Sequence, residues 1–80
     1  LGDYQGAIAD YTKAIEIDPQ YALAYRNRGI VKHDSGDYKG AIGDLSKAIG
    51  INSQNALAYN NRGTAKDNLG DYQVWLSQAV

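Results

Sequence analysis

Residues 36–63 read GDYKGAIGDLSKAIGINSQNALAYNNRG, and residues 2–29 read GDYQGAIADYTKAIEIDPQYALAYRNRG. The two stretches lie 34 residues apart and share Gly-Asp-Tyr at their start and Tyr-x-Asn-Arg-Gly at their end. A third copy opens at Gly70-Asp71-Tyr72. About 20 of 34 positions are identical between the first two copies, and self-similarity at a fixed period of this length marks a repeat array. Such a chain folds unit by unit, each unit burying its apolar face against its neighbours.

Two segments of every period carry helical spacing. Ala7, Ile8, Tyr11, Ala14 and Ile15 fall on one face of a helix, as do Ala41, Ile42, Leu45, Ala48 and Ile49. The other segment, from Ala22 to about Ser35 and again from Ala56 to Leu69, is Ala-rich and free of proline. Gly36 and Gly70 suit the left-handed position that ends a helix, and Asp37 and Asp71 suit the cap that starts the next. Asp18-Pro19 and Asn52-Ser53 break the chain between repeats. The reading is all-α over residues 1–80, with helices at about 3–17, 22–35, 37–51, 56–69 and 71–80.

These residues resemble the tetratricopeptide repeat (TPR) family. Its pattern of an aromatic, a small Gly, and Ala-x3-aromatic appears as Tyr25-x2-Arg28-Gly29-x2-Lys32, Ala41-x3-Leu45 and Ala48, and as Ala7-x3-Tyr11, Ala14 and Pro19. The last copy supplies Tyr59-x2-Arg62-Gly63-x2-Lys66. About two and a half repeats are covered, and the resemblance implies antiparallel helix-turn-helix units stacked as a right-handed α-solenoid. Arg28 and Arg62 replace the family's Leu, and Lys32 and Lys66 its Tyr. Their stems are expected to pack with the charged heads reaching water, and the two arginines to serve between helices. Trp75 stands where Ala7 and Ala41 stand in earlier copies. A slot that admits a methyl cannot take an indole without moving the helix, so the last helix is expected to repack, fray or meet another molecule there.

Composition narrows the function classes. The chain has 80 residues, Lys+Arg 8 against Asp+Glu 9, one histidine and no cysteine. Disulfides, thiolate metal sites and a Cys/His catalytic pair are excluded, and no cofactor is implied. A net charge of −1 without like-charge runs offers no basic surface for nucleic acid or for an anionic membrane. No apolar stretch reaches the length of a membrane span, and no secretory signal is visible. Leu1 falls in mid-pattern, so a native N-terminus upstream is expected. The compartment stays open, with the cytoplasm slightly favoured by the lack of cysteine. Hydroxyls, scattered carboxylates and one imidazole do not assemble an enzyme. A protein or peptide partner is the remaining class.

The resemblance implies that the first helix of each pair lines a concave groove. The stripe Leu23, Arg26, Asn27, Ile30, His33 and Asp34 runs at helical spacing, and its copy is Leu57, Asn60, Asn61, Thr64, Asp67 and Asn68. Asn27 and Asn61 precede the Arg-Gly of their helices, where peptide-clamping members of the family use an amide that both donates and accepts. Arg26 offers a charge for a carboxylate, but Asn60, Leu57 and Ile30 occupy the places a full carboxylate clamp needs, so none is expected. His33 reads as a solvated imidazole, Asp34 and Asp37 as helix-ending and capping residues. The tyrosines at 4, 38, 72, 25 and 59 read as packing rings rather than base-stacking platforms.

The ends of the array form a second candidate surface. Tyr4, Ile8, Tyr11 and Ile15 lack a helix to cover them, and Val74, Trp75, Leu76 and Val80 add apolar surface at the other end. Solenoids normally close with polar capping units. The open ends are therefore expected to drive homo-oligomerisation, by stacking or by exchange of helices.

Overall fold

A computed structural model describes residues 2–78. It contains α1 (Tyr4–Ile17), α2 (Ala22–Asp34), α3 (Tyr38–Ile51) and α4 (Ala56–Gln78), and no strand among the described residues. Consecutive helices pack side by side, and α2 also touches α4 across α3, giving a slab of 44 × 28 × 18 Å.

The local chemistry of each helix end follows from the repeat. Asp3 and Asp37 cap α1 and α3, their carboxylates accepting from the amides of Gly6 at 2.8 Å and Gly40 at 2.9 Å. At both places a Cβ would crowd the capping carboxylate, which would have to turn aside. Helix α2 ends at Gly36, whose φ of +92° opens the left-handed turn. Gly36 donates to the His33 carbonyl and Asp37 to that of Lys32, the paired bonds that satisfy the last free carbonyls. Asp18 and Asn52 stop α1 and α3 in extended backbone, and each side chain then accepts from the amide two residues on.

The core lies along α3. Ala41, Leu45, Ala48 and Ile49 are buried against Ala58 and Ala65 of α4, with Tyr25 of α2 and Ile42 packed on the cluster. Leu45 and Ala41 are both 0% exposed. Small residues let the helix axes approach closely: a Cβ on Gly29 would lie 2.9 Å from Leu45 Cγ and 3.2 Å from the Ala41 carbonyl oxygen. Helix α1, covered on one side only, has no buried residue.

One expected boundary is corrected. Separate helices at 56–69 and 71–80 were expected, whereas α4 runs unbroken through Gly70 and Asp71 to Gln78. Leu69 replaces Ser35, whose hydroxyl donates to the Lys32 carbonyl at the end of α2, and three further substitutions follow the third Gly-Asp-Tyr. Val74 replaces Gly6 and Gly40, the small residues beside the capping carboxylate in the earlier copies. Trp75 replaces Ala41, whose slot has no spare volume. Gln78 replaces Asp44, the carboxylate that ties α3 to α2. Without a seat for the returning helix, continuing the backbone hydrogen bonds of α4 costs less than breaking them. The expected disturbance at Trp75 takes the form of a straight helix rather than a frayed one.

Candidate functional site

The groove is built from the faces of α2 and α4 that flank α3. It holds a cavity of about 190 Å³ lined by Ile30, His33 and Asp34 from α2, Leu45 from α3, and Asn61 and Thr64 from α4. Five of these belong to the twelve groove candidates. Of the others, Leu23 and Leu57 are exposed, and Arg26 Nη2 donates to Asn27 Oδ1 at 3.3 Å. Asn60 and Asp67 are exposed, and the Asn60 carbonyl accepts from the Thr64 hydroxyl at 3.2 Å. Two donors in this stripe, Arg26 Nε and Asn61 Nδ2, are buried from solvent and meet no acceptor among the described residues. Unmatched buried donors are costly, and a turn of the side chain would be needed to bring either to a ligand.

His33 departs from the solvated reading. Its ring is half-buried, 5.3 Å from the Tyr38 ring, with Nε2 2.6 Å from Asn68 Nδ2 and Nδ1 3.3 Å from Asp34 Oδ1. In this arrangement the Asn68 amide donates and the Nδ1–H points to Asp34. The imidazole thus joins α2 to α4 and rests on α3, closing one end of the groove.

Charge is concentrated behind the groove. Arg28 forms a two-pronged pair with Asp44, Nε to Oδ2 and Nη2 to Oδ1, both at 2.8 Å. Lys32 reaches the same carboxylate at 3.0 Å, and Asp44 is only 6% exposed. Arg28 Nη1 also donates to Thr12 Oγ1 at 3.1 Å, so one side chain links α1, α2 and α3. The heads of Arg28 and Lys32 therefore turn inward onto Asp44, correcting the expectation that they reach water. The hydrogen bond to Asp44 raises the Arg28 guanidinium above its ordinary value despite burial. One repeat later, Arg62 donates to Ser46 Oγ at 3.1 Å, an inter-helix role like that of Arg28 toward Thr12, but no carboxylate lies beside it among the described residues.

The end residues are dispersed. Tyr4 is exposed, Ile8, Tyr11 and Ile15 are half-buried on α1, and Val74, Trp75 and Leu76 project from the end of α4, Trp75 at 61% exposure with Tyr72 stacked on it. Val80 lies outside the described residues. The packing expectation for the tyrosines fits Tyr25 and Tyr38, whereas Tyr4, Tyr59 and Tyr72 are exposed. Among the described residues no three His, Asp or Glu side chains gather as a metal site, and no helix is long and apolar enough to cross a membrane.

A family model described as TPR repeat matches residues 1–36 and 31–70, which together span most of the chain. The chain belongs to the TPR repeat family. TPR repeats are generally protein–protein interaction modules of a non-catalytic scaffold family, and the all-helical architecture of stacked pairs is that of the family. No curated protein matches the chain.

Asp44, Val74 and the His33–Asn68 contact were missed in the sequence. Asp44 had a signal: an acid recurring at 10 and 44 on an otherwise apolar face, opposite a recurring Arg-x3-Lys, asks for an internal pair. Val74 could have been read from the alignment with Gly6 and Gly40. The His33 contact depends on how α2 and α4 cross, which one helix's sequence does not contain.

Proposed function

We propose that this TPR chain is a protein-interaction scaffold that holds a peptide segment in the groove between α2 and α4. The observation that supports this reading most is the Asn61 amide: it lines the cavity, and its Nδ2 has no acceptor among the described residues, so a turn of the side chain would present it to a ligand. A peptide carbonyl would complete it, and Asn27 repeats the same group one unit earlier. Ile30 and Leu45 supply apolar lining, while Leu23 and Leu57 offer apolar contact at the rim. With two groove-lining helices the surface is short, so affinity is modest and rests on few contacts.

The test is affinity capture followed by calorimetric titration of the captured segment. Asn61→Ala is expected to weaken binding by about tenfold, the loss of one buried hydrogen bond, with the helical circular dichroism spectrum unchanged. Binding untouched by Asn61→Ala and Asn27→Ala together contradicts the groove as the site.

A further inference from the structure

Within the chain, the stripe Tyr25, Arg28, Gly29 and Lys32 on α2 is covered by Ala41, Asp44, Lys47 and Ala48 on α3. Arg28 and Lys32 hold Asp44, Gly29 lets Ala41 and Leu45 approach, and Lys47 lies 6.0 Å from the Tyr25 ring. The sequence repeats both halves of this joint. Helix α4 carries the stripe as Tyr59, Arg62, Gly63 and Lys66, and α1 carries the covering face as Ala7, Asp10, Lys13 and Ala14, identical at every position. Neither copy meets its matching face among the described residues, although Arg62 donates to Ser46 Oγ and Lys13 lies 4.0 Å from Glu16. A Cβ on Gly63 would meet nothing within 4 Å, Tyr59 is 47% exposed, and Asp10 is exposed without an ion pair among the described residues.

We infer that the occupant of the α4 stripe is a second copy of this chain, whose α1 seats on it as α3 seats on α2. This goes beyond groove binding, since the Gly63 stripe faces away from the cavity-lining residues. Charge complementarity argues for it: the two cations Arg62 and Lys66 lack the carboxylate that Arg28 and Lys32 possess, and Asp10 of the next copy is that carboxylate in the same register. Ala7 fits the saddle at Gly63, whereas Trp75, the residue the chain itself would bring there, does not. Tyr11 takes the place of Leu45, the one position at this joint where the next copy is bulkier. The contact is head to tail, so it propagates into open chains of copies. One opposing feature is local. Where His33 meets Asn68 inside the chain, the joint sets Asp67 against Asp34 of the next copy, both exposed and so weakly repulsive.

Sedimentation velocity of the 80-residue chain from about 10 µM to about 1 mM tests the joint. The wild type is expected to grow in mass with concentration, and Gly63→Leu to stay at the 8.7 kDa of one copy, because open space at Gly63 tolerates the side chain in the monomer but blocks the seat. Ala7→Trp is expected to stay monomeric as well. A 1:1 mixture of the two variants forms a dimer, since one retains an intact head and the other an intact tail. Asp67→His is expected to strengthen association. A wild type that remains monomeric throughout, a Gly63→Leu chain that associates like the wild type, or a mixture that stays monomeric overturns the inference. Dispersal by Trp75→Ala with Gly63→Leu unaffected would assign the contact to the exposed tip of α4 instead.

Discussion

Asp44 is the residue on which three helices depend, because Arg28 and Lys32 both spend their charge on it while Arg28 also reaches Thr12. Removing one partner of a buried pair strands the other. Asp44→Ala is expected to cost about 3–5 kcal/mol in urea unfolding, a large share of the stability of a domain this small, while Asp10→Ala on exposed α1 costs well under ~1 kcal/mol. Equal losses at 44 and 10 would show that the ion pair carries no special weight. The raised Arg28 value gives a definite sign: its contribution is complete below the ordinary arginine value and is lost only as pH rises through the raised one. Arg28 therefore brings no pH dependence near neutrality. The glycines make a second contrast. Gly29→Ala drives a methyl to 2.9 Å from Leu45 Cγ and is expected to destabilise by about 1–3 kcal/mol. Gly63→Ala, in open space within α4, is expected to stabilise the monomer by about 0.5–1 kcal/mol through helix propensity, read by the same unfolding curves.

Among the elements, α4 shows how a turn motif acts only when its surroundings support it. Gly36-Asp37-Tyr38 bends the chain and Gly70-Asp71-Tyr72 does not, although the three residues are the same. The flanking residues differ: Ser35 precedes the first motif and Leu69 the second, and C-terminal to the motif stand Gly40, Ala41 and Asp44 in one case, Val74, Trp75 and Gln78 in the other. Restoring the first set with Val74→Gly, Trp75→Ala and Gln78→Asp together is expected to fold the end of α4 back onto the Gly63 stripe. Spin labels at residues 60 and 77, measured by electron–electron dipolar spectroscopy, would then move closer than in the parent chain. An unchanged distance would mean that the straightness of α4 has another cause. Most helix starts and stops were legible because caps, glycines and the Asp-Pro break are local in sequence. The bend at Gly70 was misread because a capping signal is local, whereas the seat for a returning helix depends on Trp75 and Gln78 further along.

For the whole molecule, the 34-residue period carried the fold from sequence to structure, since it fixes which faces meet. The groove stripe was legible only as a face of α2 and its copy on α4, and five of its twelve residues line the cavity. The cavity at Ile30, the unmatched Asn61 amide and the His33 bridge were not, because they arise from how far apart α2 and α4 stand across α3. Both candidate surfaces follow from one arrangement: identical stripes that are joined at α2 and left open at α4. Solution NMR examines this arrangement most directly, through backbone carbon shifts and contacts at Gly29 in monomeric Gly63→Leu protein. Helical shifts unbroken from Lys66 to Leu76, a non-helical break at Gly36-Asp37, and a cross-peak between the Gly29 α-protons and the Leu45 methyls are expected. A second break at Gly70-Asp71, or no Gly29–Leu45 contact, would contradict it.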